Sequence, residues 1–184
     1  MTIVGAGAGT TIVERDAGAP DFRIFTALPA HDPTLRGMTI RNGQTIDQCT
    51  ITGNSGNFGG GVQYAFEDGA VVDSDVSGNS AISYGAGIGA GDGLITISRT
   101  TISGNTNAIP GGALMASGTR IAMTDSTVSG NAATGGVDLI GGPAFVGTGR
   151  GAEMTATNST FSGNTGNGIT IRCWVRWQAT VAQP

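Results

Sequence analysis

A six-residue phrase returns five times along this chain: Cys49-Thr-Ile-Thr-Gly-Asn54, Ser74-Asp-Val-Ser-Gly-Asn79, Thr100-Thr-Ile-Ser-Gly-Asn105, Ser126-Thr-Val-Ser-Gly-Asn131 and Ser159-Thr-Phe-Ser-Gly-Asn164. Consecutive asparagines lie 25, 26, 26 and 33 residues apart. A period in this range marks stacked units, none of which buries its apolar face alone. Within the third unit the runs are Gly93-Leu-Ile-Thr-Ile-Ser98, Arg99-Thr-Thr-Ile-Ser-Gly-Asn105 and Gly111-Gly-Ala-Leu-Met115. Each is short, alternating, rich in β-branched residues and bounded by Gly, Asn or Asp, which is the pattern of a strand. No helical period of useful length occurs. Three short strands per unit wind into an all-β solenoid, a parallel β-helix, with successive coils about 4.8 Å apart.

The aligned phrases set the register. Ile51, Val76, Ile102, Val128 and Phe161 form an apolar column that must point inward. Cys49, Ser74, Thr100, Ser126 and Ser159 lie two residues earlier on the same inner face. Two outward columns alternate with them, Thr50, Asp75, Thr101, Thr127, Thr160 and Thr52, Ser77, Ser103, Ser129, Ser162. Continued backward, the alternation gives a third outward column of Gln48, Asp73, Arg99, Asp125 and Asn158, with Arg99 between two carboxylates. The Gly-Asn pair closes each strand in a bend. Asn tolerates the left-handed region, and stacked copies at Asn54, Asn79, Asn105, Asn131 and Asn164 form a structural ladder along the axis. After each Asn comes a variable loop and then a Gly-rich approach to the next strand: Gly59-Gly-Gly-Val62, Gly85-Ala-Gly-Ile88, Gly111-Gly-Ala-Leu114, Gly135-Gly-Val137 and Gly166-Asn-Gly-Ile169. Length variation of this kind maps to one face, often the one that binds.

Two stretches break the period. Met38-Thr-Ile-Arg-Asn-Gly43 reads as an upstream coil, shortened before Asn54. After Ile169-Thr-Ile171, the run Arg172-Cys-Trp-Val-Arg-Trp-Gln178 carries no further copy. The β-helix is therefore placed over residues 1–171, with an atypical or truncated end, a cap or an open edge, over 172–184. Trp174 and Trp177 would cover that end or leave an apolar patch there. An open β edge with apolar area implies self-association through residues 165–184.

Only 12% of residues are charged, none is Lys, and the net charge is −4. No basic stretch exists, so a nucleic-acid partner is not expected. No window approaches the ~18 apolar residues of a membrane helix. The low charge and the abundance of Thr, Ser, Gly and Asn suit an extracellular β-protein. Met1-Thr-Ile-Val-Gly5 lacks the basic and apolar regions of a secretion signal and reads as mid-strand, so the chain is taken as part of a longer one. Cys49 and Cys173 would sit several coils apart, beyond the ~7 Å reach of a disulfide, and read as small buried thiols.

The phrase Leu35-Arg-Gly-Met-Thr-Ile-Arg-Asn-Gly43, followed by the Ser/Thr-x-Ile/Val-Ser-Gly-Asn and Gly-Gly-x-apolar repeats, resembles the pectin-lyase-like right-handed parallel β-helix superfamily. Within it, the chain is most similar to bacterial surface proteins with repeats of the polymorphic outer-membrane-protein and autotransporter-passenger type. The resemblance covers most of residues 2–171, including Thr2-Ile-Val-Gly-Ala-Gly-Ala-Gly-Thr-Thr-Ile12 and Phe22-Arg-Ile-Phe25. It implies a right-handed solenoid, of roughly six to seven coils by repeat count, in a secreted or surface-anchored protein. It does not imply an activity, because the superfamily holds lyases, hydrolases and adhesins alike.

Several chemistries were weighed on these residues. A polysaccharide lyase would use a Ca²⁺ cluster and a basic residue on an outer sheet. Asp73 and Asp75, two apart, and Arg99 one coil away are the candidates. Ca²⁺ wants six or more oxygens, however, and the next coil offers only Arg99 and Thr101 there. A glycosidase needs two carboxylates roughly 5–9 Å apart. Asp73 and Asp125 are two coils apart, and Arg99 between them would keep both ionised. His31 lies in Pro29-Ala-His-Asp-Pro33, a turn, and completes no triad. Gly5-Ala-Gly-Ala-Gly9 lacks the helix and lysine of a phosphate loop. Gly89-Ala-Gly-Asp-Gly93 resembles a Ca²⁺-binding nonapeptide, but such sites need tandem copies. The outward Thr and Ser ranks suggest ice binding as a further alternative, interrupted by Asp75. The favoured expectation is a non-catalytic structural or adhesive module with no catalytic residue, no metal and no cofactor, Ca²⁺ at Asp73 and Asp75 being the alternative. Its partner would be a glycan or another cell-surface ligand, met by the loops after each Asn.

Overall fold

The computed structural model describes residues 2–6, 10–14, 25–26, 34–36, 39–41, 45–64, 68–108, 112–133, 145–148, 152–166, 170–171 and 177–180. Among these residues every regular element is a strand, and the strands build three parallel sheets stacked as a solenoid. Sheet A holds seven, in chain order: Thr2–Val4, Thr34–Arg36, Thr50–Thr52, Asp75–Ser77, Thr101–Ser103, Thr127–Ser129 and Thr160–Ser162. Monotonic order with parallel pairing means that the chain returns to the same sheet once per coil and always on the same side. Ile3, Leu35, Ile51, Val76, Ile102, Val128 and Phe161 therefore pair rung upon rung. The four central members of this column, Ile51 to Val128, have no exposed surface.

From sheet A each central coil turns into sheet C, made of Ser55–Phe58, Ser80–Tyr84, Thr106–Asn107 and Ala132–Ala133. The stretch expected to be only a loop after each Asn thus begins with a strand. Sheet B follows. Its central strands, Ile88–Ser98 and Leu114–Thr124, are each 11 residues long and fuse two runs that the sequence pattern keeps apart. In the flanking coils the same span is split, as Val62–Tyr64 with Gly69–Val72 and as Phe145–Thr148 with Glu153–Thr157. Two further inward columns come from sheet B: Val62, Ile88, Leu114, and Ile46, Val71, Ile97, Met123. All seven residues are buried. Tyr64 lies in the same core, with its hydroxyl donating to the Ala70 carbonyl at 2.9 Å. Burial pushes its phenol well above the usual range. Its ring lies against Gly69, where a Cβ would overlap it.

The Gly-rich approach to sheet B has a packing cause. A Cβ at Gly61 would sit 2.9 Å from Asn79 Nδ2 and 3.0 Å from Val76 Cγ1. At Gly87 it would sit 2.9 Å from Ile102 Cγ2 and 3.2 Å from Asn105 Nδ2. The coil is narrow there, so backbone meets side chain across the interior.

At several points the structure adds to or departs from the sequence expectations. In the upstream coil read as shortened, Thr39–Arg41 pairs with Val62–Tyr64 in sheet B. The sheet A strand of that coil is Thr34–Arg36, just upstream, and the coil is short because two residues lead from it straight to sheet B. In the longest repeat, the residue stacked on Leu114 is Phe145, not Val137. Of the seven extra residues of this repeat, five fall between Ala133 and Phe145 and two between Thr148 and Glu153. A strand also pairs within the segment 172–184, expected as an atypical end or cap. Trp177–Thr180 pairs in parallel with Met154–Thr157, which puts Trp177 in the register of Ile95, Ile121 and Met154. Trp174 lies outside the described residues. Finally, Gln48, Asp73, Arg99, Asp125 and Asn158 are not an outward strand column. All have left-handed backbone, with φ between 46° and 53°, and turn the chain from sheet B into sheet A.

Candidate functional site

Two ladders of side-chain oxygens run beside the sheet A strands. The first is built on the asparagines. Asn79 Oδ1 accepts from both the backbone N–H and the Nδ2 of Asn54, each at 3.0 Å. Asn105 does the same for Asn79, Asn131 for Asn105, and Asn164 for Asn131. Each of these acceptors also donates from its Nδ2 to a carbonyl of the coil below: Asn79 to Ile51, Asn105 to Val76, Asn131 to Ile102 and Asn164 to Val128. Asn54, Asn79, Asn105 and Asn131 are buried, and Asn164 is half-buried. The left-handed residue of each bend is not the Asn but the Gly before it, with φ of 59° to 67° at Gly53, Gly78, Gly104, Gly130 and Gly163. Glycine takes that conformation without steric cost, which leaves the Asn side chain free to turn inward.

The second ladder stands at the other end of the sheet A strand. The backbone N–H of Cys49 donates to Ser74 Oγ at 3.1 Å, that of Thr100 to Ser126 Oγ at 3.1 Å, and that of Ser126 to Ser159 Oγ at 3.2 Å. Ser74 reaches Thr100 Oγ1 at 3.4 Å, the longest of the set. Each hydroxyl donates in turn to the carbonyl two residues back, as Ser74 does to Val72 at 2.6 Å and Ser126 to Thr124 at 2.7 Å. The left-handed corner turns one N–H per coil away from its own strand, and the hydroxyl one coil up receives it. Sequence reading saw only a column of small residues here. The signal that marks the ladder is the restriction of four of its five members to Ser and Thr. The fifth, Cys49, is buried, and its Sγ contacts the Asp47 carbonyl at 3.2 Å. Cys173 lies outside the described residues.

Of the three residues singled out for lyase chemistry, the structure pairs Asp73 with Arg99. Arg99 grips Asp73 with two parallel bonds, Nε to Oδ1 at 2.6 Å and Nη2 to Oδ2 at 2.7 Å. Both side chains are well exposed, so the pair adds little to stability. Hydrogen bonds from Arg99 hold the Asp73 carboxyl below the usual carboxylate range. A glycosidase acid must keep its proton at working pH, and Asp73 is pushed the opposite way. Asp125 acts on Arg99 only at longer range and makes no bond to it. Asp75 stands on a sheet A strand, paired between Thr50 and Thr101, and not beside Asp73 at the corner. Its Oδ1 is buried and has no hydrogen-bond partner. Both Asp73 oxygens accept from Arg99, so Ca²⁺, which needs several oxygens, would have to compete with the guanidinium for them. Among the described residues no group of three or more His, Cys, Asp or Glu side chains is arranged to hold a metal ion. His31 lies outside the described residues.

The outward ranks stack in register from Thr50 to Thr160 and from Thr52 to Ser162. Their central members are half-buried against one another. Within the described residues no helix is long and apolar enough to cross a membrane. Comparison with protein-family models, with curated proteins and with solved structures finds no match to this chain.

Proposed function

We propose that this chain is a non-catalytic structural or adhesive β-helix module, right-handed like the superfamily it resembles, from a secreted or surface-anchored bacterial protein. Its partner is a glycan or another cell-surface ligand, met by the segments that follow the ladder asparagines. The observation that supports this reading is a division of labour within each coil. The interior and the two ladders repeat the same bonds at every rung. By contrast, the segments from Asn to sheet B differ in composition, and the one from Asn131 to Phe145 is five residues longer than the one from Asn105 to Leu114. A rigid repeated frame that carries variable segments on one side suits display, and adds length without new chemistry.

The test is an assay for eliminative cleavage of pectate, alginate and chondroitin at millimolar Ca²⁺. The expected result is no rise in ultraviolet absorbance from unsaturated ends with any of the three. A Ca²⁺-dependent rise that Asp75→Ala abolishes would overturn the reading in favour of a lyase.

A further inference from the structure

Sheet B has an outward notch beside the sheet C strands. It is a groove of about 140 Å³, with Phe58, Gln63, Met115 and Ser117 on its walls and the Gly89–Gly91 backbone among its floor residues. In register, Gly89 lies between Gln63 and Met115, and Gly91 lies beside Ser117, so two missing side chains on one rung open the notch. A Cβ at Gly89 would sit 2.8 Å from Gly59 N. Glycine there lets the Phe58–Gly59 turn come down onto sheet B and sets Phe58 at the edge of the groove. Phe58 is 41% exposed and is backed by Tyr84 of the next coil, ring centroids 6.1 Å apart. The backing holds the exposed ring in place, in a chain with only 5% aromatic residues. The Gln63 amide and the Ser117 hydroxyl are half-buried and make no hydrogen bond within the described protein. No described lining residue is charged.

An exposed aromatic wall, two uncommitted neutral hydrogen-bonding groups and no cation make a consistent specification. The apolar C–H face of a sugar ring packs on an aromatic side chain, while its hydroxyls take amide and hydroxyl partners. The volume is well below the ~300–1,000 Å³ of pockets that enclose a drug-sized ligand, which suits one ring of a longer chain. A uronate would bring a carboxylate to a groove without a cation, on a protein of net charge −4. We infer that the Phe58–Gly91 groove is a single-ring subsite for a neutral glycan. This rests on the adhesive reading above and narrows its ligand class.

The test is a titration of the ¹⁵N-labelled chain with neutral β-linked cello- and xylo-oligosaccharides, and with oligogalacturonate as the charged control. Saturable shifts are expected at the amides of Gly89, Gly91 and Met115 with a neutral series, and none with galacturonate. Phe58→Ala should weaken binding about tenfold, the loss of one aromatic contact. Its melting temperature should fall by no more than roughly 2–4 °C, because only the contact with Tyr84 is lost and the ring lies outside the core. Gly91→Val, which refills the notch at a position of ordinary backbone φ, should abolish the shifts. Absence of saturable shifts with both neutral series, or equal binding of galacturonate, would overturn the subsite. Saturable shifts confined to other coils would remove the groove but leave the adhesive reading standing. Eliminative cleavage of the galacturonate would remove that reading itself.

Discussion

Ile102→Asp should unfold the protein, with a loss of more than about 4 kcal/mol. Ile102 has no exposed surface and lies between Val76 and Val128 in the apolar column of sheet A. Across the coil, the Gly87 backbone closes on its Cγ2. A carboxylate there has neither water nor a cation, and the narrow interior cannot open on one side. Since small domains hold only about 5–15 kcal/mol in total, one such charge uses most of the margin. The neighbouring Thr101→Asp should cost less than about 1 kcal/mol, chiefly through its closeness to Asp75 on the adjacent rung. Chemical denaturation of both variants checks the pair, and equal tolerance would refute the inward–outward register.

Asn105→Ala should cost about 3–6 kcal/mol. The side chain makes four hydrogen bonds: it accepts from the N–H and Nδ2 of Asn79, and donates to the Val76 carbonyl and to Asn131 Oδ1. Alanine leaves the backbone N–H and Nδ2 of Asn79 without their acceptor in a dry interior, at about 1–3 kcal/mol for each unsatisfied group, and takes one donor from the Val76 carbonyl. The loosened Asn79 amide adds to this. Asn164→Ala should cost distinctly less, because Asn164 is half-buried and water can replace part of what it gives. Thermal melts of the two variants give the comparison. Similar losses at both positions would mean that burial of the ladder is not what makes it strong.

The apolar column and the repeat were readable from residue types because Ile, Val and Phe recur at one place in the phrase, and alternation within a three-residue strand is short enough to extrapolate safely. The same extrapolation failed one step further on. Asp73 and Arg99 were assigned outward strand positions by continuing the alternation, whereas the chain turns at them through a left-handed corner. A period of two carries no information about where a strand stops, and neither Asp73 nor Arg99 is a glycine that would announce the turn. The sheet to which Thr39-Ile-Arg41 belongs was not readable for a related reason. Strands of sheets A and B share the same β-branched alternation, so only stacking distinguishes them. The hydroxyl ladder was invisible as chemistry because a Ser column satisfies steric and hydrogen-bonding demands alike. The groove beside Phe58 depends on what glycine omits on one rung, which no local motif records.

Amide hydrogen exchange tests most directly the claim that side-chain ladders fasten each coil to the next. The backbone N–H groups of Asn79, Asn105 and Thr100 donate to side chains one coil away and to no backbone carbonyl of a paired strand. These three amides are expected to exchange only with global unfolding, as slowly as the most protected amides of sheet B. Fast exchange at Asn105 and Thr100 in an otherwise protected sheet would contradict it.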